Sequence, residues 1–443
     1  MTPDPDPRQR VSRRRFAGTA VGLSAVAATV GVATDPAAAA AGSTAADSDP
    51  TAATTDGSAT TPPGEPVWTV PTEGVVYASP TVVDGTAYVG SWDQRLYAVG
   101  TEQGEIEWTA ETAGSIWSSA TVLDGTVYVA GGDTVYGLDV ATGDEQWSYE
   151  TDGSVWSSPS VVDGTLYVGS TDTTIVALDA ATGDENWTHE TGRLVRSAPT
   201  VAGGTVYVGS HDNTLYALDA DSGDEEWSYE TGGPVRSSPT VADGTVFVGS
   251  NDATVSAVDA ESGETVWGYE TGAAVWSSPT VADGRLFVGS NDGRLYAIDA
   301  ATGRTEWTVD TGSPVRSSPT AAGGTVYVGS DDGRLYALAT GEGPDRWTAA
   351  IGGAIRSSPT VVDGTVYVGS NDGQLYAINA GLPGSSDGSR TRLSTLGHGD
   401  DWNGEMPANT IGDVGETESS APGFGIGSAL VGLGGYLLAR CRE

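Results

Sequence analysis

Eight positions recur along the chain at a spacing of 39 or 40 residues but carry side chains of two different kinds: Tyr77, Trp117, Trp156, Arg196, Arg236, Trp276, Arg316 and Arg356. Each stands just before a Ser-Ser-Pro-like segment, and four of the eleven arginines between residues 65 and 380 fall on this one set. An aromatic arc facing a cationic arc suits a planar anionic or aromatic ligand, or an acidic peptide, held by stacking and forked guanidinium hydrogen bonds. The competing reading is packing, with each arginine paired to a turn carboxylate. Both readings stand at this point.

Other residues offer less chemistry. Asp93, Asp133, Asp172, Asp212, Asp252, Asp292, Asp332 and Asp372 form a second periodic set. An eightfold carboxylate ring could hold cations, but Asp followed by Gly or Asn is the local demand of a tight hairpin, and the turn reading is preferred. Acidic turns such as Asp219 to Asp224 lack the alternating oxygen ligands of a calcium loop and read as solvated surface. His189, His211 and His398 share no metal-binding spacing, and no nucleophile elbow, phosphate loop or zincin helix is present. Cys441 is the single cysteine, which excludes an internal disulfide and a cysteine-rich metal site. No catalytic residue and no metal ligand is assigned.

The elements that must position these residues are strands. Trp68, Trp108, Trp147, Trp187, Trp227, Trp267, Trp307 and Trp347 repeat every 39 or 40 residues, a period characteristic of propellers and solenoids. One unit, SAPTVAGGTVYVGSHDNTLYALDADSGDEEW from Ser197 to Trp227, alternates short Val-, Leu- and Tyr-rich runs with Gly-Gly, His-Asp-Asn and Ser-Gly-Asp breaks. Four strands of five to seven residues per unit are predicted, apolar on both faces because a blade has a neighbour on each side. The tryptophans, on the outermost strand, dock against the adjacent blade. The chain is therefore expected to be all-β, an eight-bladed propeller of four-stranded antiparallel blades. The last unit lacks its outer strand and the N-terminal side has one spare, so Glu65 to Val70 should close the ring and remove an open edge. The eight variable residues then enter the innermost strands near one mouth of the central channel.

The units SSPTVVDGTVYVGSNDGQLYAI and LDAATGDENW resemble the PQQ-type propeller repeat, shared by quinoprotein dehydrogenases and the BamB family of surface assembly factors. The resemblance covers residues 65–380 and implies the fold; it is also WD40-like in architecture. It allows PQQ as a cofactor, although none is expected. Quinoprotein enzymes use a calcium-bound quinone, a catalytic aspartate and often a vicinal cysteine pair. One cysteine cannot make that pair, and a strict 39–40 spacing leaves no room for the insertions that wall such a site.

The ends read as addresses. Arg13 and Arg14 precede Phe16 and an uncharged Ala/Gly/Val/Thr stretch, which resembles a twin-arginine export signal over residues 1–41, an N-terminal anchor being the alternative. Pro422-Gly423-Phe424 opens a Gly-rich apolar run closed by Arg440 and Arg442. Residues 422–443 resemble the PGF-CTERM tail of haloarchaeal surface proteins, which is removed and replaced by a lipid anchor; a simple membrane anchor is the alternative. Residues 42–64 and 381–421 read as disordered linkers. Asn186 heads the only Asn-X-Ser/Thr sequon and is a glycosylation candidate.

The 59 acidic residues face 20 arginines and no lysine, for a net charge of −39. A spread of this kind excludes nucleic acid as a partner. It fits either an acidic binding surface or life in molar salt, where screening shortens self-repulsion to a few ångströms; the halophile reading is preferred. The expected function is a monomeric propeller at the outer face of the cell envelope, binding or scaffolding envelope proteins or a small anionic or aromatic ligand. A PQQ-dependent dehydrogenase and a purely structural envelope protein are the alternatives. The charge itself makes a prediction: in dilute buffer the sheet should loosen through carboxylate repulsion. Circular dichroism from molar salt down to tens of millimolar should show this loss, and an unchanged spectrum would refute the halophile reading.

Overall fold

The computed structural model describes residues 61–386, apart from 342 and 344. Thirty-two strands form eight four-stranded antiparallel sheets, and the described residues contain no helix. Seven blades use four consecutive strands; the first is Thr81–Val83, Thr86–Gly90, Arg95–Gly100 and Ile106–Glu111. In the eighth, Pro66–Pro71 pairs antiparallel with Gln374–Asn379, followed by Thr365–Gly369 and Thr360–Val362. The spare N-terminal strand closes the ring, one residue later than 65–70.

The innermost strands have three residues each, shorter than expected. The Pro that precedes most of them has no N–H to give a ladder, and the residues before it bond to the next blade instead. Asp-Gly or Gly-Gly joins the first two strands, as in Asp84-Gly85 with φ of 48° and 82°. Both residues are left-handed, the type I′ geometry that matches strand twist. The second hairpin departs from the expected two-residue turn. Its left-handed residue follows the repeat aspartate, as at Gln94, Thr173, Asn213 and Gly293, except in the second blade, where Gly132 precedes Asp133; elsewhere the aspartate caps the turn by accepting the N–H two residues on.

Blades hold one another at three radii. Near the axis, the Thr81 hydroxyl donates to the Ala120 carbonyl at 2.6 Å, and equivalents run round to Thr360, which donates to Pro80. Between them lie apolar layers shared by neighbours, such as Tyr88, Leu96 and Ala98 with Val127, Val129 and Leu138. At the periphery each repeat tryptophan reaches the following blade. Trp147 Nε1 donates to the Ala180 carbonyl at 2.9 Å, and its ring lies so close to Gly183 that a Cβ there would sit 2.5 Å away. The same pair recurs eight times, ending with Trp347 on Ala380 and Gly64, and Trp68 on Thr101 and Gly104.

Residues 381–386, read from composition as the start of a linker, fold back instead along the innermost strand of the eighth blade. Ser386 N–H donates to the Val361 carbonyl at 2.7 Å and Gly364 N–H to the Gly384 carbonyl at 3.1 Å, which leaves Ser386 buried.

Deleting residues 1–71 removes the closing strand and the Trp68 contacts, and exposes the edge of Gln374–Asn379. Loss of roughly 3–5 kcal/mol is expected from the vacated apolar surface alone. A truncated propeller that melts like the full chain would show that the ring does not depend on this strand. A pH prediction comes from the second hairpins, where Tyr97, Tyr216, Tyr296 and Tyr336 donate to the repeat aspartates Asp93, Asp212, Asp292 and Asp332. Burial, and then the carboxylate, pushes these phenols up to about 12. The folded state therefore holds their protons more tightly than the unfolded chain, whose phenols titrate near 10. Their stabilisation should be complete below pH 10 and disappear as the pH rises towards 12. Tyrosinate absorbance should rise together with unfolding in that window, and early titration without unfolding would contradict the assignment.

Candidate functional site

Each outer strand leads to the next inner strand through a loop, and the eight variable residues sit in that loop rather than in the strand they were expected to enter. Their neighbours on both sides are anchored. The residue before is a fully buried Val or Ile, seated in seven of the eight cases on a strand-two glycine: a Cβ on Gly369 would lie 2.3 Å from Val76. The residue after is typically a buried serine; Ser157 donates to the Gly169 carbonyl at 2.9 Å and accepts its N–H at 2.8 Å. With both neighbours fixed into the blade, the side chain between them turns to the axis. All eight are half-buried and line one cavity of about 200 Å³, together with seven serines two residues further on.

Those serines form a ring of their own. Ser79 N–H donates to Ser119 Oγ at 3.0 Å, and the pattern continues to Ser358, whose N–H meets Ser79 Oγ at 2.9 Å. The hydroxyl protons stay available to the cavity. Ala198 is the one interruption, which leaves the Ser158 N–H without a serine acceptor.

One side of the cavity is aromatic. Tyr77 and Trp117 have ring centroids 5.3 Å apart, and Trp117 and Trp156 5.5 Å. A residue outside the sequence-derived set joins them: Trp92 lies 4.4 Å from Trp117 and stacks on Tyr77 at 6.3 Å. The other side is cationic and rests on indoles. Arg196 lies over Trp156 at 3.8 Å, and Arg236 and Arg316 over Trp276 at 4.0 and 4.5 Å.

Pairing to the repeat aspartates does not occur. Asp212 accepts Thr214 N–H at 3.0 Å, Tyr216 O–H at 2.9 Å and Gly192 N–H at 2.6 Å, and the other repeat aspartates are engaged by local donors in similar ways. The carboxylate at the mouth is Asp331, one position earlier. It receives Arg316 Nη1 at 2.9 Å and Arg356 Nε at 2.8 Å, while Asn291 accepts from Arg316 Nε at 3.2 Å. Asp331 holds Arg356 more firmly protonated than usual, whereas burial and then the like charge of Arg316 lower Arg236. Sequence reading missed this second ring, Trp92, Gly132, Thr171, His211, Asn251, Asn291, Asp331 and Asn371. The signal was present: it varies as much as the first ring, fifteen residues further along.

Buried polar atoms without a partner concentrate here. Trp92 Nε1, Arg196 Nε, His211 Nε2, Asn251 Oδ1, Trp276 Nε1 and Asn371 Oδ1 are six of the seven such atoms among the described residues. Native interiors rarely leave such groups unmet without a reason.

The remaining candidates lie elsewhere. Asn186 is exposed on the outermost strand Glu185–Glu190, and His189 packs against Tyr216 with its Nδ1 3.1 Å from the Gly223 carbonyl. Arg13, Arg14, His398, Pro422, Gly423, Phe424 and Cys441 lie outside the described residues. Among the described residues no three His, Cys, Asp or Glu side chains converge into a set that could hold a metal ion. The residues at the mouth do not fit a calcium-held quinone, because the one carboxylate there is already clamped by two arginines.

Three solved structures share the fold. The BamB of Moraxella catarrhalis matches with a TM-score of 0.63 at 21% identity, covering 71% of this chain and 99% of that one. The computationally designed Ika8 protein matches with 0.63 at 17%, covering 70% and 97%. The quinohemoprotein alcohol dehydrogenase of Comamonas testosteroni matches with 0.61 at 19%, covering 72% and 76%. No curated protein sequence matches the chain. The family model described as outer membrane protein assembly factor BamB matches residues 57–158, 151–238, 231–322 and 310–384. The chain, across its whole propeller, belongs to that family.

Proposed function

We propose that this propeller is a binding module of the cell envelope, which captures an anionic group attached to an aromatic or other flat surface at the mouth of its central channel. The observation that carries the reading is the on-axis cavity, whose one side is aromatic and other side guanidinium, in a chain of net charge −39. Positive charge gathered against that background is not needed by the blades, which are held by tryptophan, apolar layers and hydroxyls. Export through the Arg13-Arg14 signal, anchoring through the Pro422-Gly423-Phe424 tail and a glycan on Asn186 belong to the same proposal. They would set the mouth at the outer cell surface, where the ligand is a small aromatic acid or an acidic, aromatic-bearing segment of an envelope protein. The quinoprotein reading has the shared fold in its favour, but the one carboxylate at the mouth, Asp331, is already taken by two arginines.

Tryptophan fluorescence at molar salt tests the proposal with two probes, naphthoate and a short Asp- and Trp-containing peptide. Naphthoate should quench and saturate, and binding of the peptide in its place would identify a protein partner. Trp117→Ala and Trp156→Ala should each weaken binding roughly five- to tenfold, the worth of a lost aromatic contact. Saturable PQQ- and calcium-dependent dye reduction, with neither probe bound, would replace this reading with the enzymatic one.

A further inference from the structure

The rim contains one set of positions twice, two adjacent arginines with a variable residue between them, and only one set is closed by an internal carboxylate. In the seventh and eighth blades Arg316 and Arg356 converge on Asp331, which takes Nη1 of the first at 2.9 Å and Nε and Nη2 of the second at 2.8 and 3.2 Å. Asp331 stands fifteen residues after Arg316. In the fourth and fifth blades Arg196 and Arg236 are also neighbours, and the residue fifteen positions after Arg196 is His211. The propeller's rotational repeat therefore puts an imidazole where the other pair has its carboxylate.

The rest of this sector agrees. Arg236 makes no hydrogen bond or ion pair among the described residues, and Arg196 Nε and His211 Nε2 are buried without partners. Arg196 lies over Trp156 and Arg236 over Trp276, indoles in the blades to either side of the pair, and an arginine held over an aromatic face in this way keeps N–H groups for a ligand. Burial first, and Arg193 second, hold His211 below the usual imidazole range, so the ring brings no negative charge and little positive charge. Ser238 Oγ accepts from Ala198 N–H at 3.0 Å and keeps its proton free, and the serine ring is broken here, beside Ser158.

We infer that the Arg196–Arg236 pair is the oxyanion subsite of the channel mouth, and that a carboxylate of the ligand takes there the place that Asp331 fills between Arg316 and Arg356. This inference rests on the binding function proposed above and assigns the anion to one sector of the ring. An arginine pair already neutralised from within has little left to offer an incoming anion; a pair braced by indoles and lacking its counter-ion has the full fork.

The full chain is titrated with naphthoate at molar salt, with thermal melts confirming that each variant is folded. Wild type should bind one equivalent. His211→Asp supplies the missing internal carboxylate and should weaken binding at least tenfold while raising the melting temperature; Arg236→Gln should weaken it similarly with little change in melting. Asp331→His copies the open sector and should raise the stoichiometry from one to two. Acetate and sulfate should displace naphthoate only if the subsite reads the oxyanion alone, and an acidic peptide competing better than either marks a protein source for the carboxylate. Binding that survives His211→Asp and Arg236→Gln but falls with Trp117→Ala would overturn the subsite and leave the cavity as the site. No binding of either probe to any variant would overturn both.

Discussion

A four-stranded blade has two apolar faces and cannot bury either alone, so the molecule depends on each blade giving the next the same set of contacts, all the way round. The tryptophan–glycine pair is the outermost of these contacts and the most demanding. At Gly183 a single added carbon would meet the Trp147 ring at 2.5 Å, and the left-handed φ of 71° would resist a side chain on its own account. One residue thus serves the turn and the neighbouring blade together. The hydroxyl belt does the same near the axis, where Thr81 and its equivalents tie a backbone carbonyl of the next blade. Because the eighth blade is built from the two ends of the chain, and meets the seventh through Trp347 on Gly64 and the first through Trp68 on Gly104, closure is required for all eight and belongs to no single blade.

This division of labour frees the rim. The blade fixes a Val or Ile before each rim residue and a serine after it in most blades, and asks nothing of the side chain between. A repeat protein that must keep its frame identical from unit to unit can vary such a position at little cost in folding, which is why asymmetry gathers there. The variation is ordered. Aromatic residues occupy three successive blades, Trp92 extends them inward, and arginines take most of the other side.

Blade number, strand order and ring closure were legible because they rest on periodicity and local turn chemistry, both written directly in the residues. The tryptophan spacing counted the blades, and the missing final strand identified Glu65 to Val70 as its replacement, one residue short of the observed Pro66–Pro71. What could not be read depends on the side-to-side relation of blades. Arg316 and Arg356 share Asp331 across a blade boundary, a contact fixed by three-dimensional rotation rather than by sequence distance. Proximity in the chain pointed instead to the repeat aspartates, whose oxygens are taken by their own turns and by tyrosines four residues on. Trp92 was missed for the same reason: its partners, Tyr77 and Trp117, come from the two loops that flank it in space. The docking of residues 381–386 along Val361 had no signal in a Gly-, Ser- and Pro-rich stretch, since it uses backbone groups and serine hydroxyls that a linker composition also offers.

A cationic mouth in so acidic a chain also changes how salt should act on recognition. At low ionic strength the Debye length exceeds 10 Å, and the summed field of a −39 protein repels an approaching anion before the arginines can compensate. In molar salt that length falls to about 3 Å, so distant carboxylates no longer contribute while contacts at hydrogen-bond distance persist. Arg196 and Arg236 are half-buried and braced on indoles, which places their forks where bulk screening reaches least. Screening ordinarily weakens the capture of anions by arginine. In the binding function proposed above it removes more repulsion than attraction, because the repelling charges are spread over the surface and the arginines are gathered around a cavity. The acidic exterior and the arginine mouth are therefore compatible under the same condition, high salt, that relieves the self-repulsion of the fold.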